Sequence, residues 1–151
     1  MSALADMCPR AKTSRWYVIS QARIDDFADV TEDHQFIHVD PAAAAESVFG
    51  GTIAHGFLSL SLLSSMAEGI LTLPEGAGIN LNYGFDKVRF LTPVAAGKRV
   101  RGHFSLNSST LRAPGQALFS YKVEVEIEGE SRLALAADWL ILTIAATGEE
   151  V

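Results

Sequence analysis

At 151 residues, 48% of them hydrophobic and 20% charged, the chain has the make-up of one globular domain large enough to bury a real core. A formal net charge of -6 weighs against a nucleic-acid backbone as partner, since that affinity comes from lysines and arginines neutralising phosphates. Cys8 is the only cysteine, which excludes an intrachain disulfide and makes the cytoplasm the expected location.

Residues 1–14 lack the apolar core of a secretory signal and read as a loose tail; one domain over 15–147 and a C-terminal tail over 148–151 follow. Trp16 to Ser20, WYVIS, is aromatic and β-branched and predicts a first strand, with a helical stretch after it around IDDFADVT. Asp40-Pro41 starts a second, short helix, because Asp40 can cap free N–H groups and Pro41 already holds the φ of a first helical position. Gly50-Gly51 stops that helix after Val48.

A longer helix is expected from near Ala54 to just before Pro74, apolar on nearly every face, with only His55 and Glu68 titratable. Its length approaches the roughly 20 residues that cross a bilayer. Ser59, Ser61, Ser64, Ser65 and Glu68, and the lack of a basic flank, favour a helix wrapped by protein instead.

Beyond Pro74 the period changes to that of strands. Ile79, Leu81, Tyr83 and Phe85 alternate with polar or small residues, and the phase then slips to Val88 and Phe90 as at a bulge. Val100, Gly102, Phe104 and Leu106 alternate with Arg101, His103, Ser105 and Asn107. Tyr121, Val123, Val125 and Ile127 alternate with Lys122, Glu124, Glu126 and Glu128, and Gly129-Glu130 turns the chain back into RLALAADWLILTI. Helices followed by long strands, with one helix apolar all round, predict an α+β domain in which an antiparallel sheet curls around a long central helix, the hot-dog arrangement.

Residues 32–40, EDHQFIHVD, set three acids and two histidines within nine positions. His34 and His38 lie four apart, with Asp33, Asp40 and His55 as further candidate ligands for a metal, although Asp40 is already explained as a cap. On a regular helix Asp33 and His38 would sit about 140° apart around the axis. They converge only on an irregular loop, which Phe36 and Ile37 would anchor inward, making a carboxylate–imidazole pair for proton transfer. The bland alternative is a satisfied polar loop. His55-Gly56 opens the long helix, whose N-terminus offers free N–H groups and partial positive charge to an oxygen gaining negative charge, while glycine allows close approach; packing alone would also explain the glycine.

Three stretches taken in order, TEDHQFIHVDP at 31–41, GGTIAHGFLSLSLL at 50–63 and INLNYGFDKVRFLTPVAAGKRVRG at 79–102, resemble the MaoC-like hydratases. These are the (R)-specific enoyl-CoA hydratases of the hot-dog superfamily, and the likeness is greatest to their nodulation protein N-like branch. It runs from about Trp16 to Ala145. The resemblance implies reversible hydration of a trans-2-enoyl-CoA to an (R)-3-hydroxyacyl-CoA. It places the family's Asp, four residues, His signature on Asp33 and His38, its helix-start glycine on Gly56 as oxyanion hole, and its active-site serine position on Ser64. Gln35 stands for the motif's amide, and Glu32 departs from its usual glycine by adding a charge beside Asp33.

The implied reaction needs no metal or redox cofactor, and CoA enters as part of the substrate. Lys87, Arg89, Lys98, Arg99 and Arg101 form one basic concentration, of which Lys87 and Arg89 are the candidates for the CoA phosphates; an ordinary solvated face is the alternative. A homodimer is expected from the resemblance and from the need to protect a sheet edge. The competing readings are a hot-dog thioesterase, a non-catalytic acyl-CoA or lipid-binding module, and a zinc protein.

Overall fold

The computed structural model describes residues 11–71 and 77–146, so Cys8, the helix stop expected at Pro74 and the tail over 148–151 lie outside the described residues. Four long antiparallel strands dominate: β3 (Ala77–Phe90), β4 (Arg99–Ala113), β5 (Gln116–Ile127) and β6 (Leu133–Ala145). Two short ones, β1 (Lys12–Thr13) and β2 (Tyr17–Val18), pair with β4, giving the order β1-β4-β5-β6-β3 with β2 also on β4. Sheet pairing therefore begins inside the segment read as a tail. Ser14 N–H donates to the Gly102 carbonyl at 2.9 Å, continuing it.

The expected alternation holds on β4 and β5. Val100, Gly102, Phe104, Val123, Val125 and Ile127 are buried, each large apolar side chain contributing about 1.5–3 kcal/mol relative to exposure. The opposite face is charged and paired across strands: Arg101 Nε and His103 Nε2 both reach Glu126 Oε2 at 2.7 Å, and Arg99 Nε donates to Glu128 Oε2 at 2.6 Å. Arg101, then His103, holds the Glu126 carboxyl below the usual carboxylate range. The phase slip of β3 is present as register shifts between Asn82 and Gly84 and between Phe85 and Lys87.

On the buried face lies the central helix, α4 (Gly56–Ser61) and α5 (Leu63–Ala67), joined through Leu62, whose N–H donates to Leu58 O at 3.2 Å and whose own carbonyl accepts from Met66 N–H at 2.8 Å. It ends at Ala67, well before Pro74, because Glu68 turns extended and Gly69 takes a left-handed φ of 75°. Leu58, Leu63, Met66 and Ala67 are buried, but Phe57, Ser61, Ser64, Ser65 and Glu68 are exposed, so the helix is not enclosed all round. Ile79, Leu81 and Tyr83 of the edge strand β3 are half-exposed as well, with the Tyr83 ring partly covered by Arg112, whose guanidinium lies 5.4 Å from the ring centroid and donates to the hydroxyl at 3.2 Å. No helix among the described residues is long and apolar enough to cross a membrane.

Before the central helix, α1 (Gln21–Thr31) is capped by Ser20 Oγ, which accepts from Arg23 N–H at 3.2 Å. The single-turn α2 (Phe36–Val39) and α3 (Pro41–Ala45) follow, the latter capped as expected by Asp40 Oδ1, which accepts from Ala43 N–H at 3.0 Å. Turns carry the chain on to the glycine pair, leaving Val48 exposed outside the helix.

Candidate active site

The acidic loop acquires its shape at the end of α1. Glu32, the residue that follows the helix, takes a left-handed φ of 62°, and the chain through Gln35 is irregular until α2 begins at Phe36. Asp33 Oδ1 accepts a long 3.4 Å hydrogen bond from Gln35 N–H, and the Gln35 carbonyl accepts from His38 N–H at 2.9 Å. The residue that turns inward is His38, 7% exposed, whereas Phe36, expected as an anchor, is 48% exposed. A single helical turn cannot bury both faces, and Ile37 anchors instead through its carbonyl, which accepts from Ile53 N–H at 2.9 Å.

Glycine in the left-handed region carries no Cβ penalty, whereas other residues lose about 1–2 kcal/mol there, partly offset by the greater freedom of unfolded glycine. Glu32→Gly is therefore expected to raise stability by about 0.5–1 kcal/mol, seen as a higher urea midpoint at unchanged slope. A lowered midpoint would show that the glutamate side chain contributes more than its backbone costs.

His38 is held twice. Its ring Nδ1 donates to the Ile53 carbonyl at 2.7 Å, and its own carbonyl accepts from Gln21 Nε2 at 2.7 Å. The Ile53 segment is braced in turn: Ala54 N–H donates to Val94 O at 2.8 Å and Ala96 N–H to Thr52 O at 3.0 Å. With Nδ1 protonated, Nε2 of His38 retains its lone pair. The Asp33 carboxylate, 54% exposed, has an oxygen within 4.8 Å of a nitrogen of His38 and of His55. Asp33 thus stands on the irregular stretch and His38 on the single turn of α2, and the break between them lets the two approach.

His38 and Gly56 line one cavity of about 250 Å³, walled by Ile53, Ser59, Phe90, Thr92 and Val94. Gly56 is the first residue of α4, so its N–H has no acceptor within the helix. Packing also favours a glycine there, since a Cβ would stand 3.0 Å from Cδ1 of Phe90, whose half-exposed ring would have to give by a few tenths of an ångström. Sequence reasoning missed Ser59 and Thr92. Ser59 stands one turn beyond Gly56 on the same helix face, a spacing that would have found it. Thr92 Oγ1 is buried without a hydrogen-bond partner, and no local signal marks it.

The remaining candidates stand apart. Ser64 is exposed, accepts from Asn82 Nδ2 at 3.2 Å, and lines two other pockets beside Trp139, of about 300 and 210 Å³. Gln35 is exposed and lines none of the described cavities. Of the five clustered cations, Lys98, Arg99 and Arg101 are engaged by Glu130, Glu128 and Glu126. Lys87 and Arg89 are exposed on β3 and form no ion pair with a described residue; Arg89 Nη1 donates only to the Val88 carbonyl at 2.8 Å.

The metal reading fares poorly on geometry. His34, a candidate ligand, bonds Asp29 Oδ1 at 2.8 Å on the surface, and that hydrogen bond holds its pKa above the ordinary value. Asp33, His38 and His55 do cluster, but the two imidazoles are stacked, centroids 3.8 Å apart and planes 24° from parallel. Their lone pairs lie in the ring planes and run side by side, whereas a zinc ion at about 2.0–2.1 Å from each nitrogen needs them to converge.

Comparison with known proteins gives this geometry its context. The MaoC like domain family matches residues 8–126. Over 131 residues the chain is 52% identical to nodulation protein N of Rhizobium meliloti, spanning 86% of this chain and 81% of that protein. It is 41% identical over 132 residues to 3-hydroxyacyl-thioester dehydratase Z of Mycobacterium tuberculosis, spanning 87% of each. The solved R-hydratase PhaJ1 from Pseudomonas aeruginosa shares the hot-dog fold, with a TM-score of 0.74 at 22% identity over 97% of this chain and 91% of that one. A match reaching from the N-terminal segment into β5, together with relatives at this identity, assigns the chain to the MaoC-like dehydratase family.

Proposed function

We propose that the chain is a hydro-lyase that reversibly hydrates a trans-2-enoyl-CoA to an (R)-3-hydroxyacyl-CoA. The observation that carries this reading is that His38 and Gly56, at the N-terminus of α4, line one cavity, with an Asp33 carboxylate oxygen within 4.8 Å of a His38 ring nitrogen behind that lining. A water held between the pair loses a proton to the Asp33 carboxylate as its oxygen bonds to the β-carbon. His38, with its Nδ1 committed to Ile53, accepts the water's other O–H at Nε2 and so orients it, and the proton taken up by Asp33 passes to the α-carbon, which restores the carboxylate. Electron density leaving the double bond gathers on the thioester oxygen, which the Gly56 N–H polarises. The names of the dehydratase relative and the R-hydratase neighbour support the same reaction class.

This chemistry needs no metal or redox cofactor, and CoA is part of the substrate. Lys87 and Arg89, free of acidic partners among the described residues, are proposed to meet its phosphates. Ser64, which lines pockets of its own beside Trp139, and Gln35 are proposed as supporting or channel-lining residues rather than as parties to the step. A second copy of the chain is proposed to cover Ile79, Leu81 and Tyr83 on the edge strand. A cytoplasmic location, resting on the single cysteine, belongs to the same reading.

The test follows the conjugated absorbance of crotonyl-CoA and of a longer trans-2-enoyl-CoA. Loss of absorbance without release of free thiol is expected. Thiol release would make the protein a thioesterase, and binding with the absorbance intact would make it an acyl-CoA-binding module.

A further inference from the structure

His55 was singled out only as the opening of a helix and a candidate ligand, yet it touches both halves of the proposed acid/base pair. Its ring is 3% exposed and stacks on His38 with centroids 3.8 Å apart, while Phe27 packs at 5.0 Å. Its Nε2 lies 2.9 Å from the carbonyl oxygen of Asp33 and 4.0 Å from carboxylate Oδ2 of the same residue. A carbonyl only accepts, so Nε2 of His55 carries hydrogen. By the same reasoning Nδ1 of His38 carries hydrogen toward Ile53. The two stacked rings are therefore opposite tautomers, each fixed by a main-chain oxygen.

The tie to Asp33 is made where the chain has little else to hold it. Glu32 is left-handed, the segment to Gln35 is irregular, and the one local hydrogen bond to the Asp33 side chain is 3.4 Å long. By grasping the backbone rather than the carboxylate, His55 leaves the carboxylate uncommitted for water. We infer that His55 is a positioning residue, an imidazole whose Nε2–H pins the Asp33 main chain to the face of His38 and so sets the distance between carboxylate and imidazole. This rests on the hydratase reading for its catalytic consequence, not for its geometry.

His55→Phe keeps a ring on His38 and removes the donor; His55→Gln removes the ring and restores an N–H at nearly the same reach. Because misplacing a reacting group by about 1 Å can cost about 100-fold, kcat is expected to fall about 10- to 100-fold in His55→Phe with KM changed less than about twofold. Most of the loss should return in His55→Gln. Long-range proton–nitrogen NMR on the wild type is expected to show hydrogen on Nδ1 of His38 and on Nε2 of His55, and the Asp33 and His34 amide signals should move in His55→Phe. An Nδ1–H tautomer at His55, or unchanged kcat and amide signals in a folded His55→Phe, overturns the inference. Should the wild type turn over no enoyl thioester, the hydratase reading fails, and the tautomers and amide shifts still decide the positioning role.

Discussion

Asp33→Asn is expected to lower kcat for enoyl thioester hydration by about 10²–10⁴-fold, the range over which a positioned acid or base contributes. The change keeps the size and one hydrogen-bond acceptor of a side chain that is already 54% exposed, so the unfolding midpoint should hardly move. His38→Ala should cost a similar factor in rate. It also leaves the Ile53 carbonyl without its ring donor and opens a gap beside His55, at about 1–3 kcal/mol, so its kinetics belong well below its melting temperature. Groups acting on one water form a unit, and the double variant should lose little more than the worse single one. Retention of kcat within about threefold in Asp33→Asn, with the protein folded, would remove the carboxylate from the chemistry.

The largest stability loss should come from Phe104→Ala. Phe104 is 1% exposed, its ring centroid lies 6.2 Å from that of Trp139, and it fills the space left by Gly102 two residues away, where a Cβ would stand 2.6 Å from the Phe104 ring and 3.1 Å from Met66 Sδ. One aromatic thus joins β4, β6 and the central helix. Truncating such a residue costs about 3–5 kcal/mol, and at about 2–4 °C per kcal/mol the melting temperature should drop by roughly 10 °C. Phe90→Ala, at 48% exposed, gives the contrast and should cost far less. Equal losses in the two variants would mean that the packing at Phe104 relaxes around the hole.

Those contrasts show where the chain could be read directly. Strand phase in β4 and β5 was legible because one face is wet and every second residue reports it, and Asp40-Pro41 marked a helix start through purely local chemistry. That Asp33 and His38 could approach only if the segment between them left the regular helix was legible from helix geometry, but that they do approach was not, since a satisfied polar loop fitted the same residues. The helix end at Ala67, two residues before Gly69, was hidden by the louder signal of Pro74. Phe36 and Leu81 misled because hydrophobicity says that a residue favours cover without saying what supplies it. His55 was out of reach for another reason: its bond to Asp33 spans 22 positions, and no local pattern records a contact made by tertiary folding.

Asp33, His38 and Gly56 all come from one stretch of chain preceding the long strands, while Phe90, Thr92 and Ala134, which complete the cavity, come from around the strand ends. The cavity is thus a seam between two stretches of chain, with His38, Ile53, Gly56 and Ser59 on one wall and residues from around the strand ends on the other. Substitutions at Phe90, Thr92 or Ala134 can therefore reshape one wall of the cavity while His38 stays tied to Ile53 on the other, so the room can be refitted from one side alone.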